Sequence, residues 1–145
     1  MISGVLKEAG HETGLVHVNE KLFELPDEAG VVERVRSFAP GLIGFSIMSQ
    51  QYPWSLGMAK AVREAFPEIP LVAGGVHCTM VPEEVVSDGA FDVVAVGEAE
   101  LAFLDLVETL ERGDDPTGVP NMRFPARSRY HPKGLTPIVN PVGAF

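Results

Sequence analysis

The stretch Ala73-Gly-Gly-Val-His-Cys-Thr-Met-Val-Pro82 and, shortly after it, Val96-Gly-Glu-Ala-Glu100 decide the fold of this chain. Each follows a short and strongly apolar run, Leu71–Ala73 in the first case and Val93–Val96 in the second, and each precedes a helical pattern. In an open parallel α/β sheet, such strand-to-helix turns form the ligand-binding crevice. Glycines in two neighbouring turns favour the close approach of another group to the backbone. We therefore place a candidate site at these two turns.

Strand-like and helical segments alternate outward from the two turns. Helices are predicted over Ile2–Ala9, from Pro26 to Phe38, and over Pro53–Phe66, Pro82–Ser87 and Glu98–Arg112. Strands are predicted over Thr13–Val18, Leu42–Ile47, Leu71–Ala73 and Val93–Val96. This alternation predicts an α/β protein with a doubly wound parallel sheet and helices on both faces. Because the chain opens on a helix, we interpret it as a fragment whose first strand is missing. The alternative is a sheet of only four parallel strands.

The pattern breaks after Pro116, and the charge changes sign there. Val119–Phe124 and Pro137–Val139 are predicted to pair as a small antiparallel C-terminal β appendage. All twenty acidic residues precede Pro116, whereas four basic residues follow it, namely Arg123, Arg127, Arg129 and Lys133. This basic tail is either a solvated hairpin or linker, or a docking surface for another domain.

Composition limits the class of protein. At 145 residues, with 46% hydrophobic and 8% aromatic residues, the chain is long and apolar enough for one globular domain. The net charge of -9 argues against a general nucleic-acid binder. A single cysteine excludes an internal disulfide, and a cytoplasmic location fits best. No run of residues is long and apolar enough to predict a membrane span, and the N-terminus lacks a signal-peptide pattern.

Small and polar residues follow the strands at the predicted crevice. Ser46 and Ser49 are placed to bond the polar edge of a ligand or to cap the next helix. The pair Gly74-Gly75 forms either a plain tight turn or a point of close approach, and a position directly after a buried strand favours close approach. Glu98 either complements the N-terminus of the last helix or accepts hydrogen bonds from a ligand rich in amides or hydroxyls.

Neither His77 nor Cys78 forms a recognisable catalytic or metal site from the sequence alone. Three roles are open for His77: a metal ligand, a proton carrier or an inert turn residue. No second histidine or carboxylate lies at a metal-ligand spacing from it, which argues against zinc. Cys78 reads as a small buried residue. The chain has no Gly-x-Gly-x-x-Gly, Walker or Gly-x-Ser-x-Gly motif, so we assign no catalytic and no metal-ligating residue.

Five segments in order nevertheless resemble a known family. They are Leu6-Lys-Glu-Ala-Gly-His11, Gly44-Phe-Ser-Ile-Met48, Gly74-Gly-Val-His77, Pro82-Glu-Glu84 and Gly97-Glu-Ala-Glu100. Together they resemble the N-terminal cobalamin-binding domain of the cobalamin-dependent radical S-adenosylmethionine enzymes, a group that includes methyltransferases and the anaerobic magnesium-protoporphyrin cyclase. The resemblance covers residues 4–124.

The resemblance implies a Rossmann-like, flavodoxin-like domain that holds the corrin at the C-terminal edge of the sheet, with the nucleotide tail of cobalamin in a cleft. The residues that it implies in cofactor binding belong to three turns, and they are Ser46, Met48, Gly74, Gly75, Val76, His77, Gly97 and Glu98; Ser49 follows in the first of these turns. Many cobalamin domains also carry Asp-x-His-x-x-Gly, whose histidine ligates cobalt. That motif is absent here, which leaves the lower face of the cobalt without a named ligand.

The same resemblance implies a larger enzyme. Its iron–sulfur cluster and S-adenosylmethionine would belong to a separate C-terminal radical S-adenosylmethionine barrel, because the three-cysteine signature is absent here. We expect residues 1–116 to be the cobalamin-binding domain and residues 117–145 to be an appendage or linker toward that barrel. The expected function is therefore a module that positions the corrin over the barrel and is not catalytic alone.

Two other readings stay open. One is a docking or structural domain of the same fold that no longer binds cobalamin. The other is a flavodoxin-like nucleotide or flavin binder, which would need a phosphate-binding loop after the first strand. If the first strand is absent, an exposed sheet edge would favour a homodimer.

Overall fold

The computed structural model describes residues 2–16, 25–131 and 137–142. Within them the helices are α1 (Ile2–Glu8), α2 (Glu28–Phe38), α3 (Tyr52–Ala65), α4 (Val76–Met80), α5 (Pro82–Asp88) and α6 (Glu100–Glu111). The strands are β1 (Ile43–Ser46), β2 (Leu71–Gly74), β3 (Val93–Ala95), β4 (Met122–Phe124) and β5 (Ile138–Val139). The α/β alternation predicted from the sequence is confirmed, and α4 is a short helix that the sequence did not predict.

All five strands form one sheet in the order β1-β2-β3-β4-β5. β1, β2 and β3 are parallel, whereas β4 pairs antiparallel with both β3 and β5. The predicted C-terminal β appendage is thus present, and it continues the main sheet because β4 joins the edge of β3. β2 and β3 lie at the centre, which is why their sequences are almost wholly apolar.

Helices cover both faces of the sheet, as a doubly wound arrangement requires. One core layer joins α2, α3 and α5 to the sheet, with Val35, Val62 and Val85 buried in it. The other layer is built around Leu106 of α6, and Leu6 of α1 packs against it. We refer to these as the α3 face and the α6 face.

Two sequence predictions on the β1 side of the sheet are wrong. The strand predicted over Thr13–Val18 does not form in Thr13–Val16, where Leu15 is 80% exposed, and residues 17 and 18 lie outside the described residues. The segment predicted as a buried strand at Leu42–Ile47 forms β1, which is only partly buried. The partial burial of β1 has a physical reason: β1 pairs with β2 on one side, and the described residues place no strand on its other side.

The basic tail pairs with the acidic body of the domain. The Arg129 guanidinium lies 3.0 Å from a carboxylate oxygen of buried Asp92 and also donates to the carbonyl oxygens of Pro67 and Glu68, at 2.7 Å in each case. Asp92 also accepts from Arg63, at 2.8 Å. Part of the tail's charge is therefore used within the domain, at the end of the sheet where β2 and β3 begin.

No helix in the described parts of the chain has the length and apolar character needed to cross a membrane.

Candidate functional site

The three parallel strands end at one edge of the sheet, and the turns that follow them border an open cleft. The cleft continues along β1 as far as Leu42 and Pro70, and its volume over this whole length is about 2400 Å³. Seven of the nine residues predicted for the site line this cleft: Ser46, Met48, Gly74, Gly75, Val76, Gly97 and Glu98. The other two, Ser49 and His77, lie beside the cleft and form a side-chain hydrogen bond with each other. The topology therefore brings the three predicted turns together, because the carboxyl ends of parallel strands share an edge.

Gly75 is where the first two turns meet most closely. Its φ of +97° suits glycine, and a Cβ built on it would lie 2.7 Å from the backbone nitrogen of Ile47 and 2.8 Å from its carbonyl oxygen. Gly75 is therefore a point of close approach, and the group that approaches it in the structure is the chain's own backbone. Gly74 differs, because its Cβ would meet only the Ala95 side chain, at an ordinary 3.6 Å.

Ile47 joins the two turns through its backbone. Its N–H donates to the carbonyl oxygen of Gly74 at 2.8 Å, and its carbonyl oxygen accepts from the N–H of His77 at 3.1 Å. Ile47 itself is 1% exposed. The turn after β1 is therefore fixed to the turn after β2, and this contact holds Ser46 and Met48 at the cleft.

His77 is a buried residue of α4 rather than a turn residue. Its Nδ1 lies 3.1 Å from Ser49 Oγ, and its ring lies 4.3 Å from that of Tyr52, measured between centroids. Nε2 is buried without a hydrogen-bond partner in the described residues, and the nearest carboxylate oxygen, on Glu84, is 4.0 Å away. No cluster of three potential metal ligands occurs in the described ranges, so His77 lacks the companions of a metal site.

The helix-capping reading of the serines is wrong. The 3₁₀ turn Ser49–Gln51 has Met48 at its N-cap, α3 has Gln51, and neither helix receives a side-chain cap bond there. The Ser49 hydroxyl is instead engaged with His77. Ser46 stands exposed at the end of β1, on the wall of the cleft.

The third turn is held by two residues that the sequence reading missed. Thr79 Oγ1 accepts from the N–H of Gly97 at 2.9 Å and donates to the carbonyl oxygen of Gly75 at 3.1 Å. Asn121, from the segment before β4, donates from Nδ2 to the carbonyl oxygen of Val96 at 2.8 Å. The role of Thr79 was not predicted because α4 was not predicted. The role of Asn121 was not predicted because it depends on the long-range pairing of β4 with β3.

Glu98 and Cys78 illustrate opposite environments beside the cleft. Glu98 is exposed and lies before α6, whose first turn carries Glu100 instead. Cys78 is fully buried, and desolvation raises the pKa of its thiol to about 12. The cysteine is therefore a protonated packing residue, as the sequence predicted, and not a nucleophile.

The mouth of the cleft exposes apolar side chains. Met48, Val76 and Met80 line it and are respectively 55%, 57% and 71% exposed. Grouped exposed apolar residues of this kind mark surfaces that a ligand or another domain covers. With Glu98 and Ser46 alongside, the cleft suits a large ligand that has an apolar face and a polar periphery.

Comparison with known proteins gives an independent view of the same region. Residues 1–107 match the family model of the B12 binding domain. The chain is 29% identical over 126 residues to the anaerobic magnesium-protoporphyrin IX monomethyl ester cyclase of Synechocystis sp., covering 85% of this chain and 25% of that protein. It is 30% identical over 107 residues to the cobalamin-dependent radical SAM methyltransferase TokK of Streptomyces tokunonensis, covering 69% of this chain and 16% of that protein.

A solved structure shares the fold. The radical S-adenosylmethionine methyltransferase TsrM from Kitasatospora setae, with cobalamin and a 4Fe-4S cluster bound, superposes with a TM-score of 0.72 at 16% identity, over 85% of this chain and 23% of that chain. This similarity concerns the fold alone. The chain spans about a quarter or less of the length of the curated relatives it matches.

Proposed function

The chain belongs to the B12-binding domain family, and from this premise we propose that its cleft binds cobalamin and presents it to a radical S-adenosylmethionine domain of a larger enzyme. The resemblance drawn from the five sequence segments is confirmed at the level of the family. Binding of cobalamin by this chain, the reaction of the larger enzyme and its substrate are the proposed part.

One observation carries the proposal: three turns that bear the family-like motifs converge on a single large cleft with an apolar mouth. A corrin is a broad macrocycle with amide groups around its edge and a nucleotide tail. The cleft is open at the three turns, and its exposed apolar side chains there supply a surface for the face of the ring.

The residues of the cleft divide into two roles. Met48 and Val76 would pack against the macrocycle, because both are exposed and apolar. Ser46 and Glu98 would bond the amide periphery. Gly75 would act indirectly, since it lets the turn after β2 contact Ile47 and so keeps the first two turns together.

When bound, cobalamin supplies cobalt-centred methyl-transfer and redox chemistry, while the protein supplies position and exclusion of water. His77 would support the first two turns, because its ring is buried against Tyr52 and Ser49, and we assign it no role as a metal ligand. The chain's own residues therefore hold the cofactor through packing and peripheral hydrogen bonds. The iron–sulfur cluster and S-adenosylmethionine would be held by the other domain, since this chain has one cysteine.

The test is retention of hydroxocobalamin. The chain is incubated with the cofactor and passed through gel filtration, and corrin absorption is measured in the protein peak. Val76→Glu places a charge on the apolar mouth and is expected to weaken binding at least about tenfold. Val139→Glu is the matched control, because Val139 is 59% exposed and is not among the lining residues of the cleft.

Co-elution with the chain and with the Val139 variant, but not with the Val76 variant, would support the proposal. Equal binding by all three proteins would contradict the assignment of the cleft. Absence of corrin from the folded chain, and again from a version with the expected upstream strand restored, would favour the docking domain of the same fold. Bound flavin in the purified protein would favour the nucleotide or flavin binder.

A further inference from the structure

The segment that follows β5 reaches the third turn of the cleft. A Cβ built on Gly97 would lie 3.4 Å from Cγ1 of Val142 and 3.4 Å from Nδ2 of Asn121. Gly97 has a φ of +79° and lines the cleft next to Glu98. Residues 140–142, which we call the strap, therefore lie against a turn that is distant from them in sequence.

Asn140 anchors the strap to the segment before β4 and to β4 itself. Its Nδ2 donates to the carbonyl oxygens of Thr117 and Val119, at 2.7 and 2.9 Å. Its backbone N–H donates to the carbonyl oxygen of Met122 at 3.2 Å. The preceding strand, β5, has only two residues, and so short a pairing is weak by itself. The side chain of Asn140 is therefore a main determinant of where the strap lies.

Asn121 connects the strap to the third turn. Its backbone N–H donates to the carbonyl oxygen of Pro141 at 2.9 Å, and its carbonyl oxygen accepts from the N–H of Val96 at 2.9 Å. Asn121 is 1% exposed and has a φ of +65°, a left-handed conformation that residues other than glycine rarely adopt. Such a conformation persists only where surrounding contacts hold it, and the strap supplies one of these contacts.

The third turn is thus held from two sides. On one side, the N–H of Gly97 donates to Thr79 Oγ1 of α4 at 2.9 Å. On the other side lie Asn121 and the strap. The helix that follows adds no anchor of its own within the described residues, because Ala99 at the N-cap of α6 makes no side-chain cap bond. The position of the exposed Glu98 therefore depends on both supports.

We propose that Asn140 is a positioning residue of the cleft: it anchors the strap, which through Asn121 sets the position of Gly97 and Glu98. This control of the third turn needs no ligand. Its consequence for cobalamin rests on the proposed function. Coupling between two sites is reciprocal, so release of the strap should weaken a ligand held by the third turn, and that ligand should in turn stabilise the strap.

Amide hydrogen exchange without ligand is the first test. Asn140→Ala removes both side-chain hydrogen bonds of the anchor and should speed exchange at the amides of Gly97 and Asn121 at least about tenfold. The amides of β2 should stay protected, which separates a local effect from loss of the sheet. Val139→Thr is the matched control, because Val139 is 59% exposed in the neighbouring position and threonine keeps the β-branched shape. It should leave both amides unchanged.

Binding of hydroxocobalamin is the second test. Asn140→Ala should raise the Kd at least about fivefold, whereas Val139→Thr should not change it. In the unmodified chain, saturation with hydroxocobalamin should slow exchange at the amides of Asn121 and Asn140. This last measurement requires no variant and so does not depend on the folding of one.

The outcomes separate this proposal from the proposed function. Unchanged exchange at Gly97 in the folded Asn140→Ala variant would overturn the role of Asn140. Faster exchange that extended equally to β2 would also overturn it, because Asn140 would then stabilise the whole domain. Equal Kd values for the unmodified chain and Asn140→Ala would overturn the coupling to the ligand. Failure of the unmodified chain to bind hydroxocobalamin would contradict the proposed function, and exchange at Gly97 would still decide the role of Asn140.

Discussion

Replacement of Gly75 by alanine should be costly although it adds one methyl group. The new Cβ would lie 2.7 and 2.8 Å from the backbone nitrogen and oxygen of Ile47, in a region with no flexible side chain to move aside. The backbone at φ +97° and ψ -172° is also a conformation that only glycine adopts readily. Strain of this kind costs about 1–3 kcal/mol, and overpacking costs about 1–3 kcal/mol more.

We therefore expect Gly75→Ala to lower the free energy of unfolding by about 2–6 kcal/mol, out of the roughly 5–15 kcal/mol typical of a domain. Urea unfolding followed by far-UV circular dichroism measures this change. Gly74→Ala is the matched control, because its Cβ would make only one ordinary contact, at 3.6 Å from Ala95. It should change stability by less than about 1 kcal/mol.

The comparison between the two glycines is what refutes or supports the reasoning. If Gly75→Ala were within about 0.5 kcal/mol of the unmodified chain, or if both variants were equally destabilised, the contact between Gly75 and Ile47 would not be what holds the first two turns together. The assignment of Gly75 to an indirect role at the site would then be wrong.

Three further predictions concern Asp92, Cys78 and Thr79. Asp92→Asn should lower the free energy of unfolding by about 2–4 kcal/mol in the same urea assay, because Asp92 is a buried carboxylate paired with two arginines. The control is Asp114→Asn, at an exposed carboxylate, which should lower it by less than about 0.5 kcal/mol. Cys78 should resist thiol reagents in the folded chain at pH 8 and react in guanidinium. Since burial raises its pKa, the unfolded thiol loses its proton first, so the free energy of unfolding should fall as the pH rises above about 9, by up to about 1.4 kcal/mol per pH unit. Cys78→Ala should flatten that dependence between about pH 9 and 10, and an unchanged slope would contradict the assignment. Thr79→Val should speed amide exchange at Gly97, while Thr79→Ser should not, because serine keeps the oxygen that accepts from this amide.

Several features of the fold were predictable because their signals are local. α2 begins where Asp27 accepts from the N–H of Gly30, and it ends before Pro40, as acidic first-turn residues and a proline stop indicate. The apolar sequences of β2 and β3 directly predict buried strands. The positions of the three turns followed from the alternation of strands and helices, so seven of the nine predicted site residues line one cleft.

What the sequence by itself determined is thus the α/β alternation, the positions of the turns and the family of the domain. Only the tertiary structure decided that Ile47 is the partner of Gly75, that His77 is buried against Tyr52 and that Asn121 supports the third turn. It also decided that β1 pairs with β2 and with no other strand of the described residues. The physical reason is that each of these depends on groups far apart in sequence. Periodicity, caps and turns are set by residues close together in sequence. Strand pairing and contacts between turns are set by how distant segments pack against each other.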